Sequence, residues 1–240
     1  MKMGSKQTLI YNGTVMVQNR LTSHRFAIAP RPFRFRERLK EIDMFFQGKD
    51  PVHQTMRRLA RRLEKAGIPY AIVGGMAVNA HRYRRTTGDV DFLLTGLGFS
   101  EFRRRFVDKN YLSVPRRPLR FRDPVSGVII DFLVTGLFPG SGEPGPIAYP
   151  NPEEVCQTID KYQVVDLKTL IELKLAARRH RDFGDVVELI RFNKLDESFA
   201  RRLHPSVRGD YIECLEEKRC EDLYEARRKW PPEAPEKGES

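Results

Sequence analysis

Residues 70–95, YAIVGGMAVNAHRYRRTTGDVDFLLT, constrain the fold more tightly than any other stretch of the chain. A four-residue apolar run reaches Gly74 and Gly75. After thirteen intervening residues (76–88), Asp89 and Asp91 alternate with Val90, Phe92 and Leu94. Strand side chains alternate, so this spacing predicts a strand with both carboxylates on one face and the apolar residues on the core face. Two like charges so close repel each other and are costly to desolvate. A divalent cation offsets both costs, and carboxylate oxygens suit hard ions such as Mg²⁺.

A third acid, Asp131, interrupts the apolar run VIIDFLV. Buried alone it would be expensive. It is explained if its strand lies beside the Asp89–Asp91 strand and it joins the same cluster. Three carboxylates can hold two metal ions about 3.5–4 Å apart, as in-line phosphoryl chemistry requires. Gly74 and Gly75 end one strand and open a helix, where a backbone without Cβ atoms lets phosphate approach. Plainer readings exist for each group. Asp89 and Asp91 could blunt an edge strand, Asp131 could pair with an arginine, and the glycines could serve close packing.

The ordered set Gly74-Gly75, Asp89-x-Asp91 and Asp131 resembles the DNA polymerase beta-type nucleotidyltransferase superfamily. RTTGDVDFLL supplies Arg85, Thr87, Asp89 and Asp91. It is similar to the Arg-x-Thr-x-Asp-x-Asp form of bacterial abortive-infection toxin-like and minimal nucleotidyltransferase-like proteins. LKLAARRHRDFGDV, with Lys174 and Arg178, is similar to their helical segment. The resemblance spans roughly residues 52–195. It departs at Gly75, where many members carry serine. It implies transfer of a nucleoside monophosphate from an NTP to an acceptor hydroxyl, with release of pyrophosphate. Asp89, Asp91 and Asp131 would be the catalytic and metal-binding residues for two Mg²⁺ ions, with Mn²⁺ as a substitute. Gly74, Gly75, Arg85, Thr87, Lys174 and Arg178 would bind nucleotide phosphate. A protein, an RNA or a small molecule could be the acceptor, and an antitoxin-type protein could be a partner.

Strands early and helices late predict an α+β chain: a small mixed-sheet core with flanking helices, then a helical C-terminal subdomain. The expected divisions are a weakly structured basic extension over 1–43, a core over 44–150, a helical subdomain over 151–230 and a disordered tail over 231–240. Val52, Met56, Leu59, Leu63 and Ala66 mark a helix that Gly67 ends. Residues 118–135 read as a hairpin, Gly184 as a break between two helices, and His204-Pro205 as another.

The formal charge is +11, and the first fifty residues hold ten Lys/Arg against four Asp/Glu. An anionic partner is expected. RPFRFRER interleaves aromatics with arginines, a pattern that can grip single-stranded nucleic acid, although a solvated basic tail is the simpler reading. Cys156, Cys214 and Cys220 form no C-x-x-C pair, which points to a reducing, cytoplasmic setting. The scattered histidines exclude a zinc motif, and no apolar run is long enough to span a membrane. Two alternatives compete with nucleotidyl transfer. One is an Asp-x-Asp glycosyltransferase, which has no glycine turn upstream. The other is a non-catalytic nucleotide- or RNA-binding module. Leu93 stands where a haloacid-type phosphatase needs threonine, so that reading fails.

Overall fold

Asp50 starts the first long core helix: its carboxylate accepts from Val52 N at 2.8 Å, and Pro51 occupies the first turn. The helix ends at Gly67, whose φ of 67° only glycine adopts freely. The computed structural model describes residues 10–11, 14–15 and 35–228. The chain divides into two units, 1–36 and 37–240. In the first, β1 (Ile10–Tyr11) pairs antiparallel with β2 (Thr14–Val15). Residues 1–9, 12–13 and 16–34, which include the first half of RPFRFRER, and residues 229–240, which include the tail 231–240, lie outside the described residues. Helix α1 (Phe35–Phe46) runs across the 43/44 boundary expected from the sequence.

The elements that follow are α2 (Pro51–Ala66), β3 (Tyr70–Val73), α3 (Gly74–Ala80), β4 (Asp89–Leu94), α4 (Gly96–Phe106), β5 (Leu112–Val114), β6 (Arg117–Arg122) and β7 (Ile129–Val134). After them come α5 (Pro152–Val155), β8 (Cys156–Ile159), β9 (Tyr162–Val165), α6 (Leu167–Ala177), α7 (His180–Asn193) and α8 (Arg208–Arg228). Seven strands form one mixed sheet in the order β5-β6-β7-β4-β3-β9-β8. The pairs β4–β7 and β3–β9 are parallel and the others antiparallel. The architecture is α+β, as expected.

Val90, Phe92 and Leu94 are fully buried, on the strand face opposite the acids. Phe92, Phe99, Phe102, Phe121 and Phe132 build an aromatic cluster there, with Phe102 and Phe132 centroids 4.4 Å apart. Leu59 and Leu63 of α2 are fully buried as well, each stabilising the fold by about 1.5–3 kcal/mol.

Four elements differ from the sequence reading. β8 and β9 lie beyond residue 150 yet complete the core sheet, so the purely helical part begins at Leu167. β5 adds an edge strand. Gly184 sits inside α7. The break falls instead at Arg178, in the left-handed region at φ 53°. Two short 3₁₀ turns, Glu197–Arg202 and Pro205–Val207, separate α7 from α8 and interrupt the chain at His204-Pro205 as expected. Among the described residues no helix is long and apolar enough to cross a membrane.

Candidate active site

Parallel pairing of β4 with β7 sets Asp91 directly opposite Asp131, and Asp89 opposite Ile129. Residues in register share a face, so all three carboxylates stand on one side of the sheet. On its other flank Asp91 pairs with Val73, the residue before the glycine turn. The spacing of Asp89-x-Asp91 and the placement of Asp131 within an apolar run therefore converge on one locality.

The glycines are fitted to these side chains. Gly74 has φ +61°, and a Cβ there would fall 1.9 Å from Asp91 Oδ2. A Cβ on Gly75 would fall 2.7 Å from Thr87 Oγ1. Thr87 Oγ1 donates to Asp89 Oδ1 at 2.8 Å and so orients the first acid. Asn79 of α3 holds the intervening loop: its Nδ2 donates to Gly75 O at 2.9 Å and Arg85 O at 2.7 Å, and its Oδ1 accepts from Arg85 N. The close-packing reading of the glycines thus holds, and what they pack against is the acid site itself. Helix α3 has only seven residues, so its dipole adds little for an anion.

A second polar cluster lies in the helical layer. Lys174 is buried, and its Nζ donates to Asp182 Oδ1 at 2.9 Å and Asp185 Oδ2 at 2.5 Å. Arg85 forks onto Asp185, Nε to Oδ1 at 2.6 Å and Nη2 to Oδ2 at 2.7 Å. Arg179 donates to Asp182. Arg85 and Lys174 thus line the cleft already engaged with aspartates, and they tie the loop before β4 to α6 and α7. Arg178 was expected beside Lys174. It turns away at its left-handed cap position and pairs with Asp210 of α8 at 3.0 Å. Arg179, one residue later, takes the place in the cleft.

Gly74, Gly75, Arg85, Thr87, Asp89, Asp91, Asp131, Lys174, Arg179 and Asp182 line one cleft of about 490 Å³, whereas Asn79, Arg178 and Asp185 do not. Arg117, Arg120, Tyr149 and Arg181 also line it, and the sequence reading did not single them out. Arg120 of β6 forks onto Asp131, Nε to Oδ1 at 2.6 Å and Nη2 to Oδ2 at 2.8 Å. This is the arginine pairing that stood as the alternative for Asp131. The register Arg120↔Asp131 produces it.

Burial raises Asp91 to about 7, and the charges of Asp89 and Asp131 add to the rise against Lys174 and Arg179. Burial alone would raise Asp182 too, but Lys174 and Arg179 hold it below the usual carboxylate range. Asp131 holds Arg120 above the ordinary guanidinium value. Tyr149 is pushed up to about 12 by burial, with Arg179 opposing.

Asp89 and Asp91 form a hard-oxygen donor pair whose repulsion a cation would relieve, so they fit a divalent ion. Both oxygens of Asp131 are taken by Arg120. Among the described residues no group of three or more His, Cys, Asp or Glu is arranged to hold a metal.

No family model and no curated protein matches the sequence. Among solved structures, the chain is similar to ANT(2″)-Ia in complex with adenylyl-2″-tobramycin, at 12% identity over 72% of this chain and 93% of that one, with a TM-score of 0.35. It is similar to a candidate nucleotidyltransferase from H. pylori, at 13% identity over 73% and 81%, TM-score 0.41. A third similar structure is JHP933 from Helicobacter pylori, at 13% identity over 72% and 78%, TM-score 0.41.

Proposed function

We propose that the chain transfers a nucleoside monophosphate from an NTP to an acceptor hydroxyl and releases pyrophosphate. The observation that carries this reading is the Asp91–Asp131 register pair, with Asp89 beside it and Gly74 packed against Asp91. Asp89 and Asp91 would hold Mg²⁺, or Mn²⁺ in its place, and Asp131 would join once Arg120 releases it. When bound, the metal supplies charge neutralisation for the phosphates and lowers the pKa of the attacking hydroxyl.

The remaining chemistry belongs to the chain. Gly74 and Gly75 would offer their backbone N–H groups to the β- and γ-phosphates. Thr87 keeps Asp89 oriented. Arg179 and Lys174 place positive charge where the leaving pyrophosphate gathers negative charge. Arg85 acts through Asp185 as a positioning residue. Asp131, once Arg120 releases it, would take the acceptor's proton. Incubation with α-labelled NTP, Mg²⁺ and cell extract tests the reading. A labelled acceptor is expected with the wild type and none with Asp89→Ala, which should remain folded. Equal labelling by the variant would refute the assignment.

One observation favours a second reading. Because Arg120 occupies Asp131, the same cleft could bind nucleotide without transferring it. Mg²⁺-dependent NTP binding without label transfer to any acceptor would select that reading. A toxin–antitoxin setting, with an antitoxin-type partner, rests on the sequence resemblance and would be tested by co-purification from the native host.

A further inference from the structure

The sheet order separates the two ends of the cleft. The glycine turn at the end of β3 lies on one side of β4, and β7 and β6 lie on the other. A nucleotide seated on the glycine turn therefore leaves the β6 side for the acceptor. That side has an unbalanced charge. Residues 111–122, YLSVPRRPLRFR, carry four arginines and no acid. The next acid, Asp123, is buried and held by Arg58 and Thr55 Oγ1, so it offsets none of this charge.

The register Arg120↔Asp131 and Arg122↔Ile129 puts Arg120 and Arg122 on the same face as the site carboxylates. Arg117, Pro118, Leu119 and Arg120 all line the cleft. Arg120 is met by Asp131. Arg117 and Arg122 have no carboxylate partner among the described residues. On the opposite wall, Arg85, Lys174 and Arg179 are each engaged with Asp182 or Asp185, and Arg181 has no carboxylate partner among the described residues. Unspent positive charge thus lies on both walls, with two such arginines on β6. Leu112, in register with Arg122, adds an exposed apolar surface beside it. Edge protection alone does not account for these arginines, because the edge strand is β5 and β6 is paired on both sides.

We propose that the acceptor hydroxyl is carried by a phosphate-bearing molecule whose phosphate Arg117 binds at the cleft, with Arg122, farther along β6 and outside the cleft lining, meeting a further phosphate of a longer acceptor; this rests on the nucleotidyl-transfer reading. In the reaction the acceptor oxygen bonds to the α-phosphorus. The bond from that phosphorus to the α,β-bridging oxygen breaks, and pyrophosphate leaves with its electron pair. The acceptor's proton passes to a carboxylate of the site. A polycationic acceptor is repelled by this wall, and an uncharged peptide hydroxyl gains nothing from it.

The test measures binding of a fluorescent twelve-nucleotide single-stranded RNA with a free 3′ hydroxyl, by anisotropy, to the full chain and two charge-reversed variants. Arg117→Glu/Arg122→Glu is expected to weaken binding at least tenfold and to reduce the log–log salt slope by about 1.4. The control, Arg57→Glu/Arg61→Glu, reverses two α2 arginines that line a separate depression beside Lys161. It is expected to stay within about twofold in affinity. Equal weakening by both variants overturns the proposal, because it reports only the overall charge.

A transfer assay with α-labelled NTP then separates the sources of phosphate. Label on the RNA assigns a polynucleotide, and label on ribose 5-phosphate a small phosphorylated molecule. Label on an aminoglycoside or a serine peptide, with neither phosphate-bearing acceptor modified, overturns the proposal. Thermal stabilisation by NTP with Mg²⁺ is expected to be the same in the wild type and in Arg117→Glu/Arg122→Glu. If the wild type shows none, the nucleotidyl-transfer reading itself fails, and the acceptor assignment falls with it.

Discussion

Asp91 is a carboxylate that burial and two neighbouring acids have pushed up to about 7. Its pKa is higher folded than unfolded, so the folded chain keeps a proton that the unfolded chain has lost. The contribution of Asp91 to stability should therefore fall as pH rises from about 4 to 7, with the full penalty present above 7. In metal-free buffer at pH 8, Asp91→Asn should raise stability by about 1–3 kcal/mol while abolishing transfer. Thermal melts at pH 5 and pH 8, with EDTA or Mg²⁺, check this. Mg²⁺ should stabilise the wild type at pH 8 and leave the variant unchanged. Gly74→Ala should cost about 2–4 kcal/mol, because it forces an alanine to positive φ and drives a methyl group into Asp91. Chemical denaturation measures that loss. The three acids were legible in the sequence because strand alternation fixes their face. Arg120 was not, because its partnership with Asp131 depends on the β6–β7 register. Arg178 was chosen over Arg179 because helical spacing continued from Lys174, whereas the helix stops one residue short of where that spacing applies.

At the scale of elements, the cluster of Lys174, Asp182, Asp185 and Arg85 joins α6 and α7 to the loop entering β4. Removing Asp185 leaves Lys174 and Arg85 short of a buried partner. Asp185→Ala should therefore destabilise by about 3–5 kcal/mol, more than a surface ion pair would, and urea titration reads the change. His81 makes a second tie: its Nε2 donates to Val165 O at 2.8 Å, and its carbonyl accepts from Asn193 of α7. Burial lowers its pKa below 6.5. The unfolded chain then binds a proton that the folded chain resists, so His81 by itself lowers stability as pH falls below about 6.5. His81→Asn should flatten that acid limb of the melting-temperature profile. The hairpin β8–β9 escaped the sequence reading because its turn, Asp160-Lys161, adopts positive φ at both residues without glycine. α2 was plain, because Pro51, Gly67 and the apolar spacing all agree.

For the whole molecule, the order of strands decides where function can sit. β3 with its glycine turn and β7 with Asp131 flank β4, so both halves of the site meet at the middle of the sheet. Two later strands complete that sheet, which is why the core extends past residue 150. The central claim is that Asp89, Asp91 and the glycine turn together bind an NTP through a divalent cation. Isothermal titration of NTP into the full chain, with and without Mg²⁺, tests it most directly. Binding should require Mg²⁺ and vanish in Asp91→Asn. NTP binding of equal strength in EDTA, or in that variant, would contradict the account.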